Sequence, residues 1–321
     1  MLDGKIAVEE HFAGPALDEL ISKIGWEPDD WARVESRLQD VDLRLAEMDR
    51  LGIEKAVLSL GAFGVQDIPD AAHAVELAVQ ANDALAETIA AHPSRFAGFA
   101  ALPMQDTDAA IGELERCITT LGFKGALVNG YSATGADGAL YYDDERFIPF
   151  WERVQALGVP FYLHPRNPLP DQRRIYEGRP ELLGPTWAFA AETGTHALRL
   201  ITGGLFDRFP ELTVIIGHLG EFLPFALPRL EQRMSHLKHV QLQKPATQYL
   251  RDNFFITTSG NTHTASLIAL LLEVGADRLL FAADYPFEEM EAGATWFDQV
   301  PISETDRAKI GHGNARRLLG V

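Results

Sequence analysis

Lys5-Ile6-Ala7-Val8-Glu9-Glu10-His11-Phe12 is an apolar run that ends in two carboxylates and an imidazole. Such a run reads as a short strand whose last residues carry chemistry. Side chains alternate along a strand, so Glu9 and His11 point one way and Glu10 the other. Together Glu9 and His11 can offer an oxygen and a nitrogen to one divalent ion. Glu10 is expected to face the helix layer in a structural role.

Seven further runs of this kind occur at residues 55–60, 96–101, 125–128, 159–163, 213–217, 254–257 and 278–283. Most are continuous rather than alternating, as expected of parallel strands covered on both faces. Amphipathic segments at 42–51, 71–91, 108–121 and 197–206 lie between them. Asp40 or Asp42 before the first, Gly52 after it and Gly122 after the third are helix boundary signals. Eight β-then-α units in 321 residues predict an α/β fold, the (β/α)₈ TIM barrel. An open doubly wound sheet is the second choice, but no glycine-rich dinucleotide loop supports it. Residues 13–37 and 166–185, rich in Pro, Gly, Trp or charge, read as insertions after strands one and five. In a barrel those loops surround the active site at the C-terminal face. No linker, low-complexity tract or internal repeat divides the chain, so residues 1–321 are expected to form one domain.

Three more candidate ligands sit where Glu9 and His11 sit, just past an apolar run: His164, His218 and Asp284. In a barrel such strand ends converge on one pocket. Mixed oxygen and nitrogen ligands suit Zn²⁺ or Mn²⁺ with positions left open for substrate. Each residue alone has a plainer explanation as a helix cap or a satisfied core group. Five of them at corresponding strand ends is a pattern those explanations do not produce together. His218 need not be a ligand, because Glu221 follows one turn on and can raise the basicity of its imidazole. That pair has the form of a proton relay or an electrostatic clamp. His73, His92, His196, His236, His239, His263 and His312 fall in helices or loops and read as surface or packing residues.

The charge balance, 28 basic against 46 acidic residues for a net −18, excludes nucleic acid as a partner. It does not exclude a small anion, since a local metal outweighs a diffuse charge. Cys117 is the single cysteine, which rules out an internal disulfide and fits a reducing compartment. It reads as a small buried hydrophobe. No apolar run approaches the ~20 residues of a membrane span, and the N-terminus carries no secretory signal. A cytoplasmic protein is expected.

Several longer motifs carry a resemblance. They are Val8-Glu9-Glu10-His11-Phe12, Gly125-Ala126-Leu127-Val128-Asn129-Gly130, and Tyr162-Leu163-His164-Pro165-Arg166-Asn167-Pro168-Leu169-Pro170. Further along are Leu183-Gly184-Pro185-Thr186-Trp187-Ala188-Phe189-Ala190, Gly217-His218-Leu219-Gly220-Glu221, Thr257-Thr258-Ser259-Gly260-Asn261, Asp284-Tyr285-Pro286-Phe287-Glu288 and Asn314-Ala315-Arg316-Arg317-Leu318. The chain resembles the metal-dependent amidohydrolase superfamily, in its nonoxidative decarboxylase branch. The Glu-x-His start belongs to that resemblance, because related hydrolases begin with His-x-His.

The resemblance implies Glu9, His11, His164 and Asp284 as metal ligands and His218 with Glu221 as the catalytic pair beside them. Asp284 is the first choice for the proton donor, and His218, tuned by Glu221, is the second or polarises a phenolic oxygen instead. Asn129 is implied as a contact to the phenolic edge of the substrate, and Arg229 as a substrate-side arginine offered across a subunit interface. The implied cofactor is one divalent metal, Mn²⁺ first and Zn²⁺ or Mg²⁺ as alternatives, with no organic cofactor. The implied assembly is a homotetramer or dimer. The implied reaction is reversible decarboxylation of an ortho-hydroxybenzoate, first 2,6-dihydroxybenzoate to resorcinol and CO₂. Decarboxylation of 2,3-dihydroxybenzoate, salicylate or 5-carboxyvanillate is the near alternative, to be decided by residues 13–37 and 62–69. Metal-dependent hydrolysis of a lactone or amide is the more distant one, disfavoured by the missing His-x-His and bridging lysine. Phe12, Trp187, Phe189, Tyr285 and Phe287 are candidates for a flat slot around the ring. One departure stands out: Ala282-Ala283 precedes Asp284 where a hydroxyl residue is expected, so a hydrogen bond at that point is expected to be lost.

Overall fold

Eight parallel strands form a closed ring in the computed structural model of the protein, which describes residues 1–14, 16–20, 28–61, 64–134, 138–238 and 241–321. They are β1 (Lys5–Phe12), β2 (Ile53–Leu60), β3 (Phe96–Gly98), β4 (Ala126–Asn129), β5 (Phe161–His164), β6 (Val214–Ile216), β7 (Phe254–Thr257) and β8 (Leu279–Leu280). Ladders join β1 to β2 to β3, and β4 to β5 to β6 to β7 to β8. Two bridges complete the circle, Ala100 with Ala126 and Glu10 with Tyr285. A ring in sequence order has no reversal of strand order, so the doubly wound alternative is excluded.

Both faces of the strands are buried, which is why the runs are continuous. Ile6, Val8, Val57, Phe99, Leu127, Tyr162, Ile215, Phe255 and Leu280 point into the barrel. Their neighbours Ala7, Leu58, Val128, Leu163, Ile216 and Ile256 pack outward against the helices. The short C-terminal helix Asn314–Leu319 gives Ala315 and Leu319 to the interior cluster. Asn314 Nδ2 also donates to the carbonyls of Ala276 and Leu279, at the start of β8. This helix therefore closes the N-terminal end of the barrel and leaves the C-terminal end for the site.

The helices begin where short acidic side chains can cap them. Asp40, Asp70 and Asp106 accept the N–H of Leu43, His73 and Ala109 and start helices Val41–Arg50, Ala71–Ala91 and Thr107–Thr119. The helix expected at 197–206 is corrected: it runs Ala188–Thr202, and a separate turn follows at Leu205–Arg208. Gly203-Gly204 divides them, with Gly204 left-handed at φ 76°. The run at 96–101 is a strand only over Phe96–Gly98, beyond which Ala100 keeps one bridge.

The first insertion holds helices Leu17–Leu20 and Pro28–Gln39, and its residues 15 and 21–27 lie outside the described residues, as do 62, 63 and His239. The second is a chain of 3₁₀ turns, Pro170–Tyr176, Pro180–Leu182 and Gly184–Thr186. A small hairpin, Ser132–Thr134 with Gly138–Leu140, follows β4. Among the described residues no helix is long and apolar enough to cross a membrane.

Candidate metal centre and active site

Barrel closure gathers the strand ends at one mouth. Glu9 and His11 arrive from β1, His164 from the end of β5, and Asp284 from the turn after β8. Each is buried, and one potential ligand atom from each lies within 4.8 Å of all the others. His164 Nε2 is 3.2 Å from Glu9 Oε1, and His11 Nε2 is 3.2 Å from Asp284 Oδ1. Glu9 Oε1 and His11 Nε2 are buried with no hydrogen-bond partner among the described residues. Buried polar atoms are rarely left so, and separations near 3 Å are what atoms about 2.1 Å from a shared ion span. The donor set therefore fits a divalent metal.

The protonation states fit as well. Burial works against charge on Glu9, but the surrounding His218, His164 and His11 outweigh it and hold the carboxyl far below its usual range. Asp284 is likewise lowered despite burial, by the adjacent imidazoles of His11 and His218. Burial lowers His164 and keeps it neutral. Ionised carboxylates and a neutral imidazole are the forms a metal binds.

Side chains on or just after three strands, β2, β5 and β7, surround these candidate ligands. The Tyr162 hydroxyl donates to Glu9 Oε2, and Thr257 Oγ1 donates to the same oxygen at 3.0 Å. Ser259 Oγ lies 2.7 Å from Thr257 Oγ1 and accepts the backbone N–H of His218 at 3.1 Å. Ser59 Oγ is 3.3 Å from His11 Nδ1, which leaves Nε2 as the inward atom. Gly217 is required for room, since a Cβ there would lie 3.0 Å from Glu9 Oε2 and 3.1 Å from Ser259 Oγ.

His218 stands at the edge of the cluster. Its Nδ1 is 2.7 Å from Glu221 Oε1 and its Nε2 is 3.4 Å from Asp284 Oδ2. Burial alone would lower its pKa, but the charges of Glu221 and Glu9 and the hydrogen bonds to Asp284 and Glu221 lift it well above the usual histidine range. The protonated imidazolium is thereby favoured, on a side chain that is 25% exposed. His218, Glu221 and Asp284 all have positive φ, at 52°, 50° and 66°. Non-glycine residues in that region cluster at functional sites.

The amidohydrolase family model matches residues 11–321. This chain belongs to the amidohydrolase family. A gamma-resorcylate decarboxylase of Polaromonas sp. strain JS666 is 52% identical to this amidohydrolase over 324 residues, 99% of each chain. The crystal structure of a 2,6-dihydroxybenzoate decarboxylase complexed with 2,6-dihydroxybenzoate matches it with a TM-score of 0.96 and 51% identity over 100% of both chains. A dihydroxybenzoic acid decarboxylase from Polaromonas sp. JS666, solved with manganese and the inhibitor 2-nitroresorcinol, gives 0.96 and 51% over 99% of this chain and 97% of that one.

Other residues singled out in the sequence of this amidohydrolase are distributed as follows. Asn129 pairs in register with His164 at the mouth, and its buried Oδ1 has no partner among the described residues. Arg229 lies on the exposed face of helix Leu223–Met234, bonded to Gln232 at 2.9 Å, and does not join the cluster within one chain. Of the aromatic candidates, Phe287 packs on a ligand, its ring centroid 5.2 Å from that of His11. Tyr285 instead is fully buried beneath Arg44, whose guanidinium carbon is 4.7 Å from the ring centroid. Trp187 is half exposed and stacks on Phe222.

A hydroxyl just past β7 secures the backbone before Asp284, but not the Asp284 carboxylate. Thr258 Oγ1 donates to the Ala282 carbonyl at 2.9 Å and accepts the Ala282 N–H at 3.0 Å. Glu10 is fully buried at the seam between β1 and β8, a structural placement, and burial raises its carboxyl to about 8. His196 is buried and accepts the Tyr142 N–H, while His73 is exposed beside Glu19 and His263 caps helix Thr264–Val274. Cys117 is buried, and its thiol is pushed up by burial. Tyr162, Thr257, Ser59 and Ser259 were not foreseen as site residues. The only signal for them is polar side chains at inward positions of otherwise apolar strands.

Proposed function

We propose that this amidohydrolase catalyses reversible, nonoxidative decarboxylation of 2,6-dihydroxybenzoate (γ-resorcylate) to resorcinol and CO₂. Glu9, His11, His164 and Asp284 would hold one Mn²⁺, in preference to Zn²⁺ or Mg²⁺. The observation that carries the reading is this buried four-residue cluster with a protonated His218 at its edge. Its occurrence in a chain 52% identical to a gamma-resorcylate decarboxylase supports the substrate.

Losing CO₂ directly from an aromatic acid would leave an electron pair in the ring plane, outside the π system. Protonating the carbon that bears the carboxylate first turns the ring into a dienone with the carboxylate β to a carbonyl. Loss of CO₂ then restores aromaticity. A metal held by Glu9, His11, His164 and Asp284 would supply a positive centre that attracts the anionic substrate and favours its phenolate form. The protein's task is a proton delivered to carbon. His218 holds that proton at rest, kept there by Glu221, and Asp284, 3.4 Å away, is the group that hands it on. The catalytic set is therefore Asp284, His218 and Glu221. The open amide oxygen of Asn129 meets a phenolic hydroxyl, and Phe287 beside His11 forms one wall for the ring. Arg229, exposed on its own subunit, reaches substrate in a neighbouring one, which requires a homodimer or homotetramer. Residues 1–321 act as one barrel domain in the cytoplasm.

The test is turnover of 2,6-dihydroxybenzoate by the Mn²⁺-loaded protein beside a chelated sample, with resorcinol followed by chromatography. Resorcinol that appears only with metal is expected. If 2,6-dihydroxybenzoate, 2,3-dihydroxybenzoate, salicylate and 5-carboxyvanillate are all inert, decarboxylation is wrong and lactones are tested next.

A further inference from the structure

Glu10 faces away from the metal cluster, yet its carboxylate grips the residue that completes it. Glu10 Oε1 accepts the N–H of Ala283 at 2.8 Å, and Oε2 accepts the N–H of Tyr285 at 3.3 Å. These are the backbone N–H groups of the two residues on either side of Asp284. Asp284 is left-handed, and a residue in that conformation lets flanking N–H groups converge on one acceptor group. The Asp284 N–H itself turns the other way, to the Glu9 carbonyl at 2.9 Å, and His11 N–H donates to the Tyr285 carbonyl at 2.7 Å. Behind the seam, the buried guanidinium of Arg44 donates to the His11 carbonyl and covers the Tyr285 ring. Every bond in this set except that of Arg44 joins the β1 half of the cluster to the Asp284 half.

We propose that Glu10 is a positioning residue for the metal centre: its carboxyl group clamps the backbone N–H groups of the two residues flanking Asp284, holds Asp284 left-handed, and so aims the Asp284 side chain at the ion. The proposal rests on the ligand assignment above. A buried hydrogen bond that merely fastened two strands would stabilise the barrel without reaching the ion through Asp284, and the two cases separate in a double-mutant cycle.

The measurement is Mn²⁺ affinity of the full chain, read from the spin-resonance signal of free Mn²⁺, for wild type, Glu10→Gln, Asp284→Ala and the double variant. Glu10→Gln places an amide donor against a peptide donor, and Mn²⁺ binding is expected to weaken about 10- to 100-fold. In the Asp284→Ala background the same change is expected to cost under about 3-fold, because the group it positions is gone. Equal costs in both backgrounds, or an unchanged affinity in Glu10→Gln, overturn the proposal. Failure of the ligand assignment looks different: Asp284→Ala would bind Mn²⁺ as well as wild type. If Glu10→Gln is insoluble, Glu10→Asp, which keeps the charge and shortens the reach, enters the same cycle with the same criteria.

Discussion

Tyr162→Phe removes one oxygen atom from the barrel interior and nothing else. The ring stays in a cluster it already fills, so no cavity larger than a hydroxyl is opened. What is lost is a hydrogen bond to an ionised carboxylate, worth about 1.5–3 kcal/mol. Glu9 Oε2 keeps its bond from Thr257 at 3.0 Å, so the carboxylate is not stripped, and a loss near 2 kcal/mol is expected. That magnitude selects the assay. In a chain of 321 residues the unfolding entropy is roughly 0.7 kcal/mol per degree, so 2 kcal/mol moves the melting point by only about 3 °C. Expressed in metal affinity, the same 2 kcal/mol is about 30-fold in Kd. Mn²⁺ titration of Tyr162→Phe should therefore show clear weakening in a protein that melts almost normally. An affinity within about 2-fold of wild type would refute the view that the Tyr162 hydroxyl aims Glu9.

Three further outcomes are expected. Glu221→Gln keeps an acceptor for His218 Nδ1 but removes the charge that holds the proton there. Turnover should fall about 100-fold with Mn²⁺ affinity nearly unchanged, and normal turnover would remove Glu221 from the proton store. Gly217→Ala needs no unusual backbone angle but puts a methyl 3.0 Å from Glu9 Oε2, so folded protein with weaker Mn²⁺ binding is expected from circular dichroism and titration. His196 is driven by burial down to about 3, so as pH falls below about 6.5 the unfolded chain takes up a proton that the native state refuses. Stability is lost in that direction, about 2 kcal/mol by pH 5, and His196→Gln should flatten this part of the acid-unfolding curve by that amount.

The site was legible in the sequence because each ligand ends a run whose composition already marks it as a strand. Glu9, His11, His164 and Asp284 could be paired with strand ends by reading alone, and the ring then brings them together. What surrounds them was not legible, for a specific reason. Tyr162 and Thr257 sit inside apolar runs where core packing is the ordinary expectation, and only closure turns them toward Glu9. The Thr258 hydroxyl, which fastens the Ala282 backbone two residues before Asp284, is delivered by the register of β7 against β8 and not by sequence proximity. Element ends suffered from the same dependence on neighbours. The helix beginning at Ala188 was expected nine residues later, since its first turns face the long 3₁₀ insertion and lack a side-chain cap.

The seam between β1 and β8 also sets when this protein can acquire a metal. Glu10 and Tyr285 are 275 residues apart in the chain, and the ligands beside them are equally remote. The interior is closed only when Ala315 and Leu319 take their places at its base. A nascent chain that has not reached Asp284 lacks one of the four candidate donors, and Asp284 joins Glu9 and His11 only where the last strand meets the first. Metal uptake is then expected to wait for the closing of the ring.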